Sequence, residues 1–347
     1  MKLHGNRHLA ALAAGALALA AAGCGAQGTS ASAGTDPGSN EVVINQAFQS
    51  LLYLPLYVAQ EQGYFEDEGV DVTIDTGGGG TQSWSAVLGG SADFSIQDPV
   101  FVPKSHEQGG EGVVVAAVQN APTVFIIGQD DTDLQDDLSF LDGKRVVTSP
   151  EPDTTWAFMT YLAQQNDIDV EIVNVAIGNE LAAVQSGQAD YALAVDPQVA
   201  QGEAMGLTSV YSFSADEDWS PFAFSSLTTT QAYIDENPEA AQGVVTAFER
   251  ASRSIYADPN RAIEIAQEYF SDLDDDVIAT SVNREIEAKG YPETVLVTPE
   301  SWDNNLEIAL YAGNVEDYPS DATSYETNVN TELAEQAATA ADEAGTE

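Results

Sequence analysis

Residues 53–74 read YLPLYVAQEQGYFEDEGVDVTI. The first half has helical spacing, with Leu56, Ala59 and Phe65 on one face and Gly63 near the end. Pro55 suits a first helical turn, where a missing N–H forfeits no bond. The closing DVTI is β-branched and short, as strands are. One helix is therefore expected over 55–65 and a strand over 71–75. Glu61, Glu66, Asp67, Glu68 and Asp71 crowd into this helix end and turn. Ligands meet helix N-termini, where N–H groups are free, so these carboxylates at the other end are read as a solvated coat. A helix joining two strands is the repeating unit of an α/β sheet.

The unit recurs. Residues 41–47 (EVVINQA) read as a strand, 81–88 as a helix, and 93–96, 113–118 and 124–127 as strands. From Lys144 the series restarts, with strands at 145–148, 170–175, 191–195 and 209–213 and helices at 154–164, 180–185 and 197–205. Beyond 222–227 the chain turns helical. Asn237-Pro238, Asp258-Pro259 and Thr298-Pro299 pair a cap with a first-turn proline, and another helix is expected over 275–288. Residues 332–347, rich in Ala and Glu, are expected to fray. Two βα series and a helical return predict an α/β fold of two lobes. Each lobe would be a mostly parallel sheet flanked by helices, with a ligand cleft between them. With crossings at 128–138 and 214–222, lobe one is 41–130 plus 222–330, and lobe two is 131–221.

Charge narrows the partners. The 347 residues carry 10 Lys+Arg against 56 Asp+Glu. No basic footprint exists to displace counterions, so nucleic acid is excluded as a partner. The acids are spread along the chain, which fits a halophilic surface whose self-repulsion salt screens; an ordinary acidic exported protein is the other reading. The start, MKLHGNRHLAALAAGALALAAAGC, has two bases, an apolar run over 9–22 and small residues before Cys24. The run is too short to span a bilayer and fits a secretory signal over 1–23. Cys24 is the one cysteine, so no disulfide forms within a single copy. Ala21-Ala22-Gly23-Cys24 resembles a bacterial lipobox, although Ala21 stands where Leu is usual. Residues 24–40 then read as a lipidated flexible tether. The expected location is extracytoplasmic, on the outer face of the cytoplasmic membrane, held by the lipid alone.

LYVAQEQGYFEDEGVDVTI, the glycine run at 77–80 and VLGGSADFSI together resemble the start of the periplasmic solute-binding proteins of ABC importers. The branch is the nitrate/sulfonate/taurine/bicarbonate and thiamine-precursor binding family. LDGKRVV (141–147) and GNELAAVQSGQADYALAVDP (178–197) resemble its second-lobe segments. The resemblance covers about 41–310. It implies a monomeric type II binding protein that captures a small solute and delivers it to a permease with a cytoplasmic ATPase. The solute would be of the nitrate/sulfonate/taurine class, or alternatively a thiamine-precursor-like pyrimidine or other amine-bearing heterocycle. A pyrimidine-synthesising enzyme on the same fold is the remaining class.

Candidate ligand contacts are the loops after strands. Gln49 and Tyr53 follow the first strand, with Phe48 beside them; the aromatics either stack on a ligand or belong to the core. Gly78 and Gly79 either let backbone approach a ligand or form a plain turn. Gln97 and Asp98 end a strand, and Asp98 either caps the next helix or accepts from a ligand amine. In lobe two, Ser149 and the helix start at Asp153, Thr154 and Thr155 gather hydroxyls and free N–H groups, with Trp156 one residue on. Asn179 is a cap or a contact. Asp196-Pro197 repeats the design of Asp98-Pro99. No Lys or Arg lies in these loops, so an anion would rest on N–H groups and hydroxyls, while an amine would also use the carboxylates.

Catalytic and metal signatures are missing. Beyond the signal, His106 is the one histidine, and no Ser-His or Gly-x-Ser-x-Gly arrangement occurs. SDLDDDVI at 271–278 lacks the glycine and glutamate of a calcium loop. No cofactor, no metal and no enzymatic activity are expected.

Overall fold

The computed structural model describes residues 40–130, 135, 137–216 and 219–344. The signal segment, Cys24 and the tether lie outside them, save Asn40.

The chain opens with β1 (Glu41–Gln46), a 3-10 turn (Leu51–Tyr53), α1 (Leu54–Glu61), α2 (Tyr64–Asp67) and β2 (Asp71–Thr76). The helix expected over 55–65 is broken in two, because Gly63 takes the left-handed conformation (φ 71°) that glycine adopts without steric cost. α3 (Gly80–Leu88), β3 (Phe94–Gln97), α4 (Phe101–Glu107) and β4 (Val113–Gln119) follow. β1 pairs in parallel with β2 from Glu41↔Asp71 and with β3 from Ile44↔Phe94.

β5 (Phe125–Gly128) corrects the expected crossing, because it belongs to the second sheet. The chain changes sheets at 120–124, before this strand. Pro122 interrupts the apolar run, and the Phe125 and Ile127 side chains pack with Val147, Leu181 and Ala192 of the second half. The second series is β6 (Arg145–Thr148), α5 (Thr154–Gln165), β7 (Glu171–Asn174), α6 (Glu180–Gln185), β8 (Tyr191–Ala194), α7 (Gln198–Ala204) and β9 (Thr208–Ser212). The chain then returns as β10 (Ser225–Thr229).

The sheet orders are β2-β1-β3-β10-β4 and β7-β6-β8-β5-β9. Each is parallel except for the strand received from the other half: β10 runs antiparallel to β3 and β4, and β5 to β8 and β9. This exchange ties two α/β lobes together through two crossings.

The remaining helices are α8 (Gln231–Glu236), α9 (Pro238–Ala257), α10 (Pro259–Tyr269), α11 (Asp275–Glu287), α12 (Pro299–Ala312), α13 (Tyr325–Asn328) and α14 (Thr331–Ala344). Three start on the expected cap-proline pairs. Asp258 accepts from the Arg261 N–H, and Thr298 and Ser301 form a reciprocal capping box. α9 buries Ala241, Val244, Val245, Phe248, Ala251 and Ile255, a helical stripe against α1 and α2. The end of the chain is not frayed over 331–344: Leu333, Ala334 and Ala337 are buried on α9, and Arg253 bonds Asp342 at 2.6 Å. An Ala-rich segment with one small apolar stripe is stable where a partner helix covers that stripe.

Candidate functional site

A cavity lies between the ends of the two sheets, formed by Ala47, Phe48, Tyr53, Gly80, Gln97, Asp98, Phe224 and Ser225 from the first half and Ser149, Asp153, Thr154, Thr155, Ile177, Glu180, Gln198 and residues 193–195 from the second. Its volume is about 60 Å³, room for roughly four to six waters.

One wall is apolar. Phe48 and Tyr53 lie 5.3 Å apart between ring centroids at 44°. Phe224, Ile177, Leu193 and Val195 continue it. Tyr53 is buried, and burial holds its hydroxyl far above the ordinary tyrosine range. It is a fixed neutral group.

The polar lining sets three carboxyls among hydroxyls and amides. Asp98 leaves the end of β3; its Oδ1 accepts from the Val100 N–H at 3.0 Å and from Asn305 Nδ2 at 3.0 Å, and its Oδ2 accepts from Thr154 Oγ1. Burial raises its pKa. Asp153, just before α5, sets its Oδ1 against Gly80 across the cleft, 3.3 Å from where a Cβ on that glycine would stand; burial and then the nearby Asp98 push its pKa up to about 7. Glu180, the first residue of α6, is buried, accepts from the Gly178 N–H at 2.8 Å, and is also raised by burial. Gln97 donates to Thr228 Oγ1 at 2.9 Å, which leaves its Oε1 without a partner; Gln198 Oε1 is unpartnered too. Among the described residues no Lys, Arg or His lines the cavity. Its carboxyls can accept hydrogen bonds and positive charge, while the hydroxyls and amides of the lining can also donate. Among the described residues no cluster of three metal-ligating side chains occurs, and no helix is long and apolar enough to cross a membrane.

Of the residues singled out in the sequence, Tyr53, Gln97, Asp98, Ser149, Thr154 and Thr155 line this cavity. Ser149 and Thr155 join through their hydroxyls at 2.6 Å. Six others do not line it. Gln49 is exposed and donates to the Tyr269 carbonyl at 2.9 Å, because the end of α10 lies over it. Gly78 is solvent-exposed and its N–H extends the β1 ladder to the Ala47 carbonyl; Gly79 is the cap of α3, and the next residue, Gly80, reaches the cavity. Trp156 packs on the core from the flank of α5. Asn179 faces solvent and donates to the Ala176 carbonyl at 3.2 Å.

Asp196 is the largest correction. It is fully buried away from the cavity and held by the first half: Arg284 Nη1 lies 3.0 Å from Oδ2, Ser281 donates to Oδ1 at 3.0 Å, and Ser50 donates to its carbonyl at 3.0 Å. Arg284 also grips Glu203 at 2.5 Å and lies 5.1 Å from the centre of the Phe125 ring. A base from α11, 88 residues away in sequence, thus occupies an aspartate that strand order alone would turn toward a ligand.

Phe48 and Asp153, both named from the sequence, line it as well. Gly80, Glu180, Gln198, Phe224 and Ser225 also line the cavity and are not among the contacts expected from the sequence. Glu180 and Gln198 open helices, so the rule that ligands meet helix starts could have found them. Phe224 and Ser225 stand at the beginning of β10, which the antiparallel exchange turns toward the cleft. Strand ends alone do not reveal them.

The carboxylates of residues 61–71 lie off the cavity. Glu61 accepts from the Tyr269 hydroxyl at 2.9 Å, and Asp67 and Glu68 hold Arg250 of α9 at 2.7 and 3.0 Å. They staple helices as well as face water.

The chain is similar to a Bacillus subtilis (strain 168) protein named "Putative binding protein YtlA", 24% identical over 304 residues, 85% of this chain and 89% of that one. Its fold matches the aliphatic sulphonate binding protein SsuA of Escherichia coli (TM-score 0.66, 16% identity, 79% of this chain and 88% of that chain). It also matches the nitrate-binding protein NrtA of Synechocystis PCC 6803 (TM-score 0.69, 13% identity, 88% and 90%). Desulfurization enzyme DszB shares the fold as well (TM-score 0.60, 12% identity, 87% and 99%). These likenesses place the architecture, a two-lobed periplasmic-binding-protein fold. The profile of the family described as "NMT1/THI5 like" matches residues 52–262, more than half of the length, and the chain belongs to that family.

Proposed function

We propose that this protein is the extracytoplasmic solute-binding component of an ABC importer. It would be tethered through a lipid on Cys24 and would hand its solute to a permease driven by a cytoplasmic ATPase. The solute is a small hydrogen-bond donor, neutral or cationic, such as an amine-bearing heterocycle. The carrying observation is the set of three carboxyls, Asp98, Asp153 and Glu180, in a cavity that no base among the described residues lines. Nitrate or a sulfonate would meet three carboxylates there with no compensating charge. The apolar wall of Phe48, Tyr53 and Phe224 suits a flat ring. A binder rather than an enzyme is favoured by a cavity without histidine or cysteine and with its tyrosine locked neutral.

The test is thermal unfolding of the chain at constant high salt with 4-aminopyridine and 4-aminopyrimidine in one arm and nitrate and methanesulfonate in the other. The amines should stabilise, by about 2.7 kcal/mol at a hundredfold excess over Kd, and remain chemically unchanged. Stabilisation by the anions alone, or turnover of a bound compound, would overturn the reading. Mass spectrometry of the N-terminal peptide from membranes checks the anchor; an unmodified Cys24 would reject it.

A further inference from the structure

Asp153 holds the position where an aspartate ordinarily caps its own helix, yet its side chain makes no cap bond to α5. Its carboxylate crosses the cleft to Gly80, the first residue of α3, with Oδ1 3.3 Å from where a Cβ on that glycine would stand. That helix has a glycine, Gly79, at its own cap and so no side chain to serve it. Thr154 makes the reciprocal crossing to Asp98. These two contacts exist only while the halves are apposed, and making them brings two carboxylates into one cavity. The other titratable groups facing the pair are Glu180 from the start of α6 and Tyr53 from the 3-10 turn; no base lines the space. Closing on two full negative charges is therefore opposed by both desolvation and mutual repulsion.

We propose that the empty cleft closes with a proton on the Asp98–Asp153 pair, and that a positively charged group of the solute takes that proton's place. The first half concerns the protein alone; the second rests on the donor-solute reading above. Closed, Asp153 titrates at about 7, raised by burial and by Asp98; in an open cleft, water returns it to the ordinary aspartate range near 4. A carboxylate raised on closure favours closure as pH falls. The gain is complete below about 4 and lost as pH rises through about 7. One linked proton changes the closed-to-open ratio by about tenfold per pH unit inside that window.

The test is small-angle X-ray scattering on the full chain, ligand-free, at constant high salt between about pH 5 and pH 8.5. The wild type should become more compact as pH falls through about 7. Asp153→Asn, which mimics the protonated side chain, should stay compact throughout, and Asp98→Asn should flatten the same titration. Circular dichroism melts confirm that each variant is folded. A wild type of constant size across the range, or variants that keep its titration, would overturn the proton-linked closure. Calorimetry with 4-aminopyridine below pH 7, in two buffers of different ionisation heat, should show up to one proton released per molecule bound. Binding without release would overturn the exchange. If 4-aminopyridine fails to bind while compaction still titrates, the solute reading falls and the closure stands. If it binds while compaction does not titrate, the closure falls and the solute reading stands.

Discussion

Asp98-Pro99 and Asp196-Pro197 are the same dipeptide at matching places, each just after the third strand of its sheet order and just before a helix. Their fates differ. Asp98 faces the cavity among neutral donors, namely the Val100 N–H, Asn305 and Thr154. Asp196 is sealed against Arg284, Ser281 and Ser50. One seam between the halves is thus a buried ion pair with no access to solute, and the other is a set of part-buried polar bonds around the cavity. The difference is made by a single arginine on α11. A local motif states what a carboxylate can do, and the element packed opposite it selects which use is made.

Breaking the sealed seam should have the largest effect. Arg284→Met leaves Asp196 and Glu203 without their base, and losing one partner of a buried pair costs about 3–5 kcal/mol. Urea unfolding at fixed salt measures it; a loss below about 1 kcal/mol would show that Asp196 is not sealed as described. Asp98→Asn should change unfolding free energy by less than about 1 kcal/mol, because the donors that bond it are all neutral. It should weaken 4-aminopyridine binding by about tenfold to a hundredfold, the value of a hydrogen bond to a charged group. Equal stability losses at Arg284→Met and Asp98→Asn would erase the contrast.

Glu285 sharpens the comparison on the sealed side. It is fully buried beside the first crossing, accepts from Gln119 Nε2 at 2.5 Å, and burial with the nearby Asp196 pushes it up to about 8. A raised carboxylate favours the fold at low pH. Its contribution is complete below about 4.5 and is lost as pH rises through about 8. Glu285→Gln keeps the acceptor and removes the titration, so unfolding free energies at about pH 5, 7 and 8.5 should give a shallower slope than wild type, with little change at pH 7. Parallel slopes would remove Glu285 from the network. The smallest effect belongs to the staple at the surface: Arg250→Gln, which frees Asp67 and Glu68, should cost at most about 1 kcal/mol, and less as salt is raised. A larger loss would assign Arg250 more than an exposed ion pair.

Much of the fold was legible from residues 53–74 onward. Strand and helix periods, caps and prolines depend on neighbours a few positions apart, and these survive in the linear text. The three cap-proline helices at 238, 259 and 299 are such cases. The antiparallel exchange was not legible. Residues 125–128 suit either sheet by composition, and only their packing on Val147 and Leu181 chooses the second. The site divides the same way. Tyr53, Gln97, Asp98, Ser149, Thr154 and Thr155 follow strands directly and could be named from order alone. Phe224 and Ser225 depend on the direction of β10, Asp153 on a helix in the other half, and Asp196 on Arg284.

An α/β chain of two βα series, an acid-rich composition and loops poor in bases can all be read from the residue order, because periodicity and charge are local or additive properties. Which carboxylates share a cavity and which are neutralised depends on the folded arrangement, because burial and pairing are properties of groups brought together from distant parts of the chain.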